Sequence, residues 1–217
     1  MKTKDNNLSL CITCYDLDYH LINRTLSFFQ KSTQAPKEII IVSSGLKNDY
    51  LQKKSYIEIN KTEVPIININ SEQRHNQAKA RNIGAKTTKN ELIMFFDVDD
   101  IPHPQKIEIT TKIILENDID AVVHDYTTDG KFETVKNYKI YEELKNNLTC
   151  TNIYVEGEKN FKIHHSHILC KTKIFNDIQY REEEEFFRKE DGKFCQDLLA
   201  KSFKLVYINK ELVFYTN

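Results

Sequence analysis

The chain alternates between short, uninterrupted apolar runs and longer segments in which apolar residues recur at helical spacing. Uninterrupted runs of this length are typical of strands buried on both faces of a parallel sheet. They occupy residues 8–14, 38–43, 64–69, 92–96 and 119–123. The helical segments between them cover residues 18–30, 75–87 and 104–117, with a shorter one ending near Lys54. This alternation predicts an α/β fold with a mainly parallel sheet flanked by helices.

Beyond Asp125 the pattern loosens, and the predicted elements become short. The turn sequence TTDGK predicts a hairpin whose second arm is Phe132–Tyr138. The other predictions are helical at Tyr141–Leu148, Thr172–Asn176 and Asp191–Phe203, and extended at Ile153–Val155, 161–170, Leu205–Ile208 and Leu212–Tyr215. We see no repeat, low-complexity tract or linker. We therefore expect a single domain over residues 1–217, with a mixed part following the parallel sheet.

Composition and charge narrow the class of protein. With 217 residues, 40% of them hydrophobic, the chain can bury a substantial core. Its 31 basic and 32 acidic side chains leave a formal charge of −1, which provides no long-range field to attract nucleic acid or an anionic membrane. No apolar run approaches the ~20 residues of a membrane span. We expect a soluble, cytoplasmic protein without a nucleic-acid partner or a membrane span.

The five cysteines do not form a disulfide pattern, because they are odd in number and scattered over a chain of ordinary size. Cys11 and Cys14 form a CxxC sequence, which is compatible with a zinc site. No second CxxC or nearby histidine completes a zinc ligand set. Because both lie inside a predicted strand, we interpret them as small buried residues.

Three carboxylates follow the most apolar run, in the stretch ELIMFFDVDDIPHP of residues 91–104. Asp97, Asp99 and Asp100 come directly after the predicted strand, at the end where open α/β sheets bind ligands. Adjacent acids repel one another unless they are hydrated, paired or bound to a metal. A divalent cation shared with a phosphate-bearing ligand would relieve that repulsion. The alternative is a solvated turn in which Asp100 caps the helix after Pro102 and Pro104.

Residues 80–104, ARNIGAKTTKNELIMFFDVDDIPHP, resemble the central signature of the inverting family-two glycosyltransferases of GT-A fold. The ends of the chain resemble that family as well: residues 8–45 match its opening strand, helix and second strand, and residues 189–216 match its closing Glu-Asp motif, helix and strands. The resemblance covers most of the chain in the expected order. It implies a Rossmann-like GT-A domain with a nucleotide-sugar-binding half (1–125) and an acceptor-binding half (126–217).

The resemblance implies roles for the acidic residues. Asp99 would bind Mn²⁺ or Mg²⁺, which prefer hard oxygen ligands. Asp97 would contact the ribose or the metal through water, and Asp100 would border the sugar or cap the next helix. Asp191 would be the general base that deprotonates the acceptor hydroxyl, and Glu190 would position the acceptor or the base. From the residues alone, an N-cap is the preferred role for Asp191, because Asp is common directly before a helix.

The resemblance also implies a nucleotide-binding edge. Arg81 and Asn82 would lie near the nucleotide, although a surface ion pair is the alternative for Arg81. Tyr15 would stack on the base or belong to the core.

Two positions on that edge depart from the family pattern. Thr13 stands where the family has proline. Ser43 and Ser44 replace the Asp-Asp-Gly-Ser turn that hydrogen-bonds uracil. A serine still accepts such a bond, so UDP is favoured, with GDP and dTDP open.

Two polar stretches have no firm assignment. His165 and His167 would share one face of a strand, with His164 on the other. They are compatible with a metal site, with an acceptor pocket, to which the family resemblance points, or with ordinary polar packing. The run REEEE at residues 181–185 is read as a solvated face or as a loop over the site.

The sequence therefore predicts a metal-dependent, inverting glycosyltransferase. Its substrates would be a nucleotide-sugar donor, with UDP favoured, and a glycan, lipid-linked or protein hydroxyl acceptor. One alternative is a sugar nucleotidyltransferase, which usually opens with a Gly-rich basic loop that LSLCITCYD lacks. The other is an inactive domain that binds nucleotide or glycan without turnover.

Overall fold

The computed structural model describes residues 7–15, 18–45, 55–142, 152–153, 161–162 and 167–216. The strands are β1 (Leu8–Tyr15), β2 (Glu38–Ser44), β3 (Tyr56–Ile59), β4 (Thr62–Ser71), β5 (Leu92–Asp97), β6 (Ile101–Pro102), β7 (Ala121–Thr127), β8 (Ile140–Tyr141), β9 (Asn152–Ile153), β10 (Phe161–Lys162), β11 (Leu169–Lys171) and β12 (Leu205–Phe214). The α-helices are α1 (Ile22–Phe29), α2 (Gln77–Thr87), α3 (Lys106–Asn117) and α4 (Glu190–Ala200).

The predicted parallel sheet forms around β5. Strands β4, β2, β1 and β5 lie side by side, and each neighbouring pair is parallel. All six residues of β5 are buried, as its uninterrupted apolar run predicts. The strand predictions for residues 8–14, 38–43, 64–69 and 92–96 are confirmed.

The sheet becomes mixed beyond β5. Strand β11 lies antiparallel between β5 and β7, and β12 then runs parallel to β7. The two short strands β6 and β8 both pair antiparallel with β12. Segments from both predicted halves of the chain thus share one sheet, which confirms the α/β fold class with a mixed C-terminal part.

Helices cover both faces of this sheet because successive strand residues point to opposite sides. Leu10 and Ile12 of β1 belong to one core cluster, which includes the apolar faces of α1 and α3. Cys11, between them in sequence, belongs to the second cluster, which includes α2 and α4. Both Cys11 and Cys14 are buried, which confirms that this CxxC contributes small core residues.

The region before β4 contains a strand that the sequence pattern missed. Strand β3 forms an antiparallel pair with β4, so the prediction that Pro65 starts a strand or occupies a sheet edge is wrong. Pro65 is tolerated because parallel pairing with β2 begins only at Ile66, one residue later. The short helix predicted before Lys54 falls on residues 46–54, which lie outside the described residues.

Four predictions in the second half of the chain differ from the structure. No strand forms over Phe132–Tyr138, and Tyr141 belongs to β8 rather than to a helix. Residues 161–170 are not one strand, because His167 and Ile168 lie between β10 and β11. Leu205–Phe214 is a single strand in which changes of register replace the predicted break.

Several other predicted elements of the second half form, although some bounds shift. The helical turn Thr172–Asn176 and helix α4 are confirmed. Asn152–Ile153 forms the start of the strand predicted at 153–155. His164, His165 and most of the helix predicted at 141–148 fall outside the described residues.

Gly84 allows α2 to lie close to β1. A methyl group at this position would come within 2.2 Å of the Cys11 sulfur and 3.8 Å of Val42. We expect Gly84→Ala to lower the free energy of unfolding by ~1–3 kcal/mol, as overpacking in a core does. Urea unfolding measures this change. In a double-mutant cycle, Cys11→Ala should recover part of the loss, and an additive result would contradict the close contact.

Candidate active site

A cleft with a volume of about 930 Å³ opens at the carboxyl end of β5. Its lining includes Asp97, Asp99 and Asp100 on one side and Glu190 and Asp191 on the other. The residues around the N-terminus of α2 complete part of the wall. The two acidic motifs, about ninety positions apart in sequence, therefore face the same cavity.

The three acids after β5 differ in their surroundings. Asp97 is 8% exposed and accepts a hydrogen bond from the Thr13 hydroxyl at 3.0 Å, whereas Asp100 is only 1% exposed. Burial, followed by the nearby charges of Asp97 and Asp100, raises the pKa of Asp99 to about 7. The acids are thus close enough for their charges to oppose one another.

Asp100 does not cap the following helix. Helix α3 has Gln105 at its N-cap, and Pro102 lies in β6. The Asp100 carboxylate instead accepts a hydrogen bond from the backbone N–H of Thr216 at 3.0 Å. The capping alternatives for Asp100 are therefore wrong.

Arg81 lies beneath the cleft and is fully buried. Its guanidinium nitrogens lie 3.0 Å from an Asp97 oxygen, 3.4 Å from a Glu190 oxygen and 2.5 Å from an Asp191 oxygen. The guanidinium also lies 5.4 Å from the centre of the Tyr180 ring. Arg81 is thus the common counter-ion of both acidic motifs, so the surface ion-pair alternative is wrong.

Asp191 is the second residue of α4, and Lys189 is its N-cap. The N-cap alternative for Asp191 is therefore wrong. Burial raises the pKa of Asp191 to about 7, with further increases from Glu190 and Asp97, while Arg81 opposes them. A carboxyl group with this pKa can accept and release a proton near neutral pH.

Asn82 ties the chain segment before α4 to helix α2. Its side-chain amide donates to the Tyr180 carbonyl at 2.8 Å and accepts the Tyr180 N–H at 2.9 Å. The same amide nitrogen lies 2.8 Å from a Glu182 carboxylate oxygen. Residues 181–185 are exposed, which agrees with a solvated face. Asn82 therefore holds in place the chain segment that leads to Glu190 and Asp191.

His167 is buried and lies beside the acids, beneath the cleft. Its Nε2 atom is 3.1 Å from an Asp100 oxygen and 4.0 Å from an Asp97 oxygen. One ligand atom from each of these three residues lies within 4.8 Å of the others. The sequence singled out the histidine-rich stretch but did not show which histidine reaches the acids.

The backbone carbonyl of Asp99 is held by two residues that the sequence did not indicate. The Arg24 guanidinium and the Thr216 hydroxyl both donate to it. These contacts join α1, the end of β5 and the chain just after β12. No short motif connects positions so far apart, so sequence spacing had no means of predicting them.

Residues 9–161 match the family described as Glycosyl transferase family 2. The chain belongs to this family. The matched segment includes the Ala-Arg-Asn-x-Gly helix and the three acids, and it ends before α4. The resemblance to family-two glycosyltransferases is therefore confirmed as family membership.

Two family relatives match the sequence directly. An uncharacterized glycosyltransferase of Haemophilus influenzae is 30% identical over 100 residues, which cover 46% of this chain and 32% of that protein. Glycosyltransferase GlyG of Streptococcus pneumoniae is 23% identical over 221 residues, which cover 96% of this chain and 70% of that protein. The chain thus spans about a third of the first relative and about two thirds of the second.

The fold is similar to that of S. aureus TarS 1–349, with a TM-score of 0.68 and 17% sequence identity. The similarity covers 96% of this chain and 60% of that one. The TarS fragment has also been crystallised with UDP and with UDP-GlcNAc. This likeness confirms the predicted fold class. In the described part of the family-two chain, no helix is long and apolar enough to cross a membrane.

The predicted nucleotide edge of this family-two domain lies where β1 and β2 end. Ser43 donates to the Asn70 side chain at 3.2 Å, and Ser44 donates to the His75 carbonyl at 3.4 Å. Both serines are buried. Tyr15 pairs with Ser44 in the sheet, but its side chain lies outside the described part of the structure. Their contacts with a nucleotide remain predictions.

Proposed function

We propose that this domain transfers a sugar from a nucleotide-diphosphate sugar to a hydroxyl acceptor, with inversion at the anomeric carbon. The observation that carries the proposal is the shared cleft, in which Asp191 faces the three acids after β5. An inverting transfer needs a base on the acceptor side and a site for the diphosphate on the donor side. The two acidic motifs fit these two tasks.

We place the nucleotide at the ends of β1 and β2, against Thr13, Tyr15, Ser43 and Ser44. A UDP donor is favoured because TarS, a protein of similar fold, has been crystallised with UDP and UDP-GlcNAc. Arg81 and Thr13 both donate hydrogen bonds to the Asp97 carboxylate. Arg81 therefore stabilises this edge from the interior of the domain. Asn82 supports it through its bonds to the segment before α4.

The acids after β5 fit a divalent cation, Mn²⁺ or Mg²⁺. Asp97 and Asp99 are our proposed ligands, with Asp100 beside them. Burial, followed by the charges of Asp97 and Asp100, raises the pKa of Asp99, and a cation bound here would stabilise the ionised carboxylates. When bound, such a cation supplies positive charge to a diphosphate leaving group. Oxygen ligands suit both ions.

Asp191 is the proposed general base, and Glu190 holds it in place through their shared counter-ion. Glu190 is 6% exposed and lies 3.4 Å from Arg81. Asp191 is more exposed and lines the cleft, so an acceptor hydroxyl can approach its carboxylate. Proton removal from the attacking hydroxyl makes the oxygen a stronger nucleophile as it reaches the anomeric carbon.

We propose that residues 1–125 form the donor half and residues 126–217 the acceptor half of a single domain. The acceptor is a hydroxyl on a glycan, a lipid-linked sugar or a protein.

A thermal-shift panel tests the nucleotide. The protein is mixed with UDP, GDP, dTDP or CDP, with Mn²⁺ or with EDTA. At a ligand concentration of 100 Kd the expected stabilisation is about 2.7 kcal/mol. This corresponds to a rise in Tm of ~5–10 °C for a domain of this size. We expect this rise for UDP with Mn²⁺ and a much smaller one in EDTA.

A donor-hydrolysis assay separates the enzyme from its non-catalytic alternative. UDP-sugars incubated with the protein and Mn²⁺ should release UDP slowly, because water replaces the acceptor. Binding of UDP without turnover of any donor would favour a domain that only binds nucleotide. Equal stabilisation by all four nucleotides would contradict the proposed base-binding edge.

A further inference from the structure

A ring nitrogen of His167 lies so close to a carboxylate oxygen of Asp100 that we expect a proton or a metal ion between the two atoms. The backbone N–H of Asp97 donates to His167 Nε2 at 3.3 Å, so this nitrogen carries a lone pair rather than a proton. The same nitrogen lies 3.1 Å from an Asp100 carboxylate oxygen. Two hydrogen-bond acceptors at this separation repel one another unless a proton or a metal ion lies between them.

The separations of these atoms fit ligands of one octahedral ion. Ligands ~2.1 Å from an ion lie ~3 Å apart when adjacent and ~4.2 Å apart when opposite. His167 Nε2 lies 3.1 Å from the Asp100 oxygen and 4.0 Å from the Asp97 oxygen. Asp97 and Asp100 also line the cleft, whereas the His167 ring lies beneath them. An ion held here would keep positions open toward the cleft.

The imidazole is held in this orientation by its neighbours. The His167 ring stacks on Phe96, with centroids 4.3 Å apart and planes inclined by 23°. The fully buried Lys106 side-chain nitrogen donates to the His167 carbonyl at 3.3 Å and also contacts His124. Nε2 therefore faces the acids, and a bound ion would take the lone pair that accepts the long Asp97 N–H hydrogen bond.

We propose that His167 is a nitrogen ligand of the divalent cation, and that Asp100 joins Asp97 and Asp99 as an oxygen ligand. This inference rests on the proposed function in that it concerns the cation of the same site. A nitrogen ligand also affects which divalent ion the site prefers. Carboxylate, carbonyl and water oxygens suit both Mn²⁺ and Mg²⁺, whereas imidazole is a ligand of transition metals. The nitrogen ligand should therefore make the site bind Mn²⁺ more tightly than Mg²⁺.

Pulsed electron paramagnetic resonance of bound Mn²⁺ tests the ligand without any assay of activity. The full chain is prepared with ¹⁵N-labelled histidine, freed of metal with EDTA and loaded with one equivalent of Mn²⁺. We expect a ¹⁵N coupling in the wild-type protein. His167→Gln should abolish the coupling and weaken Mn²⁺ binding by at least ~10-fold, with a smaller effect on Mg²⁺.

His103→Gln is the matched control. His103 is also buried, but its Nδ1 accepts the Gln105 N–H and its Nε2 contacts the Glu133 carbonyl, away from the acids. This variant should keep both the nitrogen coupling and the Mn²⁺ affinity. Because every histidine is labelled and His75 also lines the cleft, His75→Gln is a second variant that should keep the coupling. Loss of the coupling in it would assign the nitrogen to His75 even if His167→Gln folds poorly.

The outcomes separate this inference from the proposed function. Absence of ¹⁵N coupling in the wild type would overturn the inference and leave a proton as the bridge between His167 and Asp100. Metal-dependent sugar transfer without that coupling would leave the proposed function standing. A ¹⁵N coupling in a protein that turns over no donor would support His167 as a ligand and contradict the transferase activity.

Discussion

Asp191→Asn is expected to lower the rate of sugar transfer by ~10²–10⁴-fold, the usual contribution of a general base. The amide keeps the size of the side chain but cannot accept the proton of the acceptor hydroxyl. Arg81 would still be paired with Asp97 and Glu190, so the fold should be retained. Steady-state kinetics with a UDP-sugar donor measures the loss, and UDP binding should change little.

The pH profile distinguishes a missing base from a general disturbance of the site. The base acts only when it is unprotonated, and the pKa of Asp191 is raised to about 7. In the wild type, kcat/KM should therefore increase as the pH rises through 7 and then level off. The residual activity of Asp191→Asn should lack this step.

Asp197→Asn is the matched control, because the same change is made on the same helix. Asp197 pairs with Arg181 and Lys193 on the outer side of α4 rather than in the cleft. The activity and the pH profile of the Asp197→Asn variant should match those of the wild type. A wild-type pH step that survives in Asp191→Asn would assign the base to another residue.

Arg81→Met is expected to lower the free energy of unfolding by ~3–5 kcal/mol, as the loss of one partner of a buried ion pair does. The methionine would fill part of the space but leave three carboxylates without their common counter-ion. Urea unfolding measures the change. Arg181→Met, which removes an exposed pair with Asp197, should cost at most ~1 kcal/mol.

A second substitution tests whether charge is the cause of that loss. In the Arg81→Met background, Asp191→Asn removes one of the uncompensated charges and should recover part of the stability. Arg81→Lys keeps the positive charge but cannot reach three carboxylates at once, so its cost should be intermediate. If Arg81→Met and Arg181→Met were equally stable, the counter-ion role of Arg81 would be contradicted.

The sequence located the centre of the site because its signal is local. Strand β5 is an uninterrupted apolar run followed directly by acids, and both periodicity and motif are visible within fifteen residues. The Glu190-Asp191 pair is equally local. In contrast, the sharing of Arg81 between the two acidic motifs depends on α2 and α4 contributing to the same core cluster on one face of the sheet, which no short window encodes.

Strand β6 was missed, and β11 was predicted only as part of a longer strand, for a related reason. Strand β11 has three residues and β6 has two, which is too short for a periodic pattern to emerge. His167 therefore seemed to belong to a long strand, although it precedes β11. Its approach to the acids follows from the pairing of β11 with β5, in which Leu169 lies opposite Met94.

The position of β11 also bears on how this domain could be divided. A fragment ending near residue 125 would lack the segment that separates β5 from β7, and two apolar strands would lose their common neighbour. Exposed strand edges of this kind favour intermolecular pairing. A split reporter or a deletion series made from this chain should therefore be cut in a surface loop inside residues 1–125 or inside residues 126–217. A cut at the boundary between these two halves should be avoided.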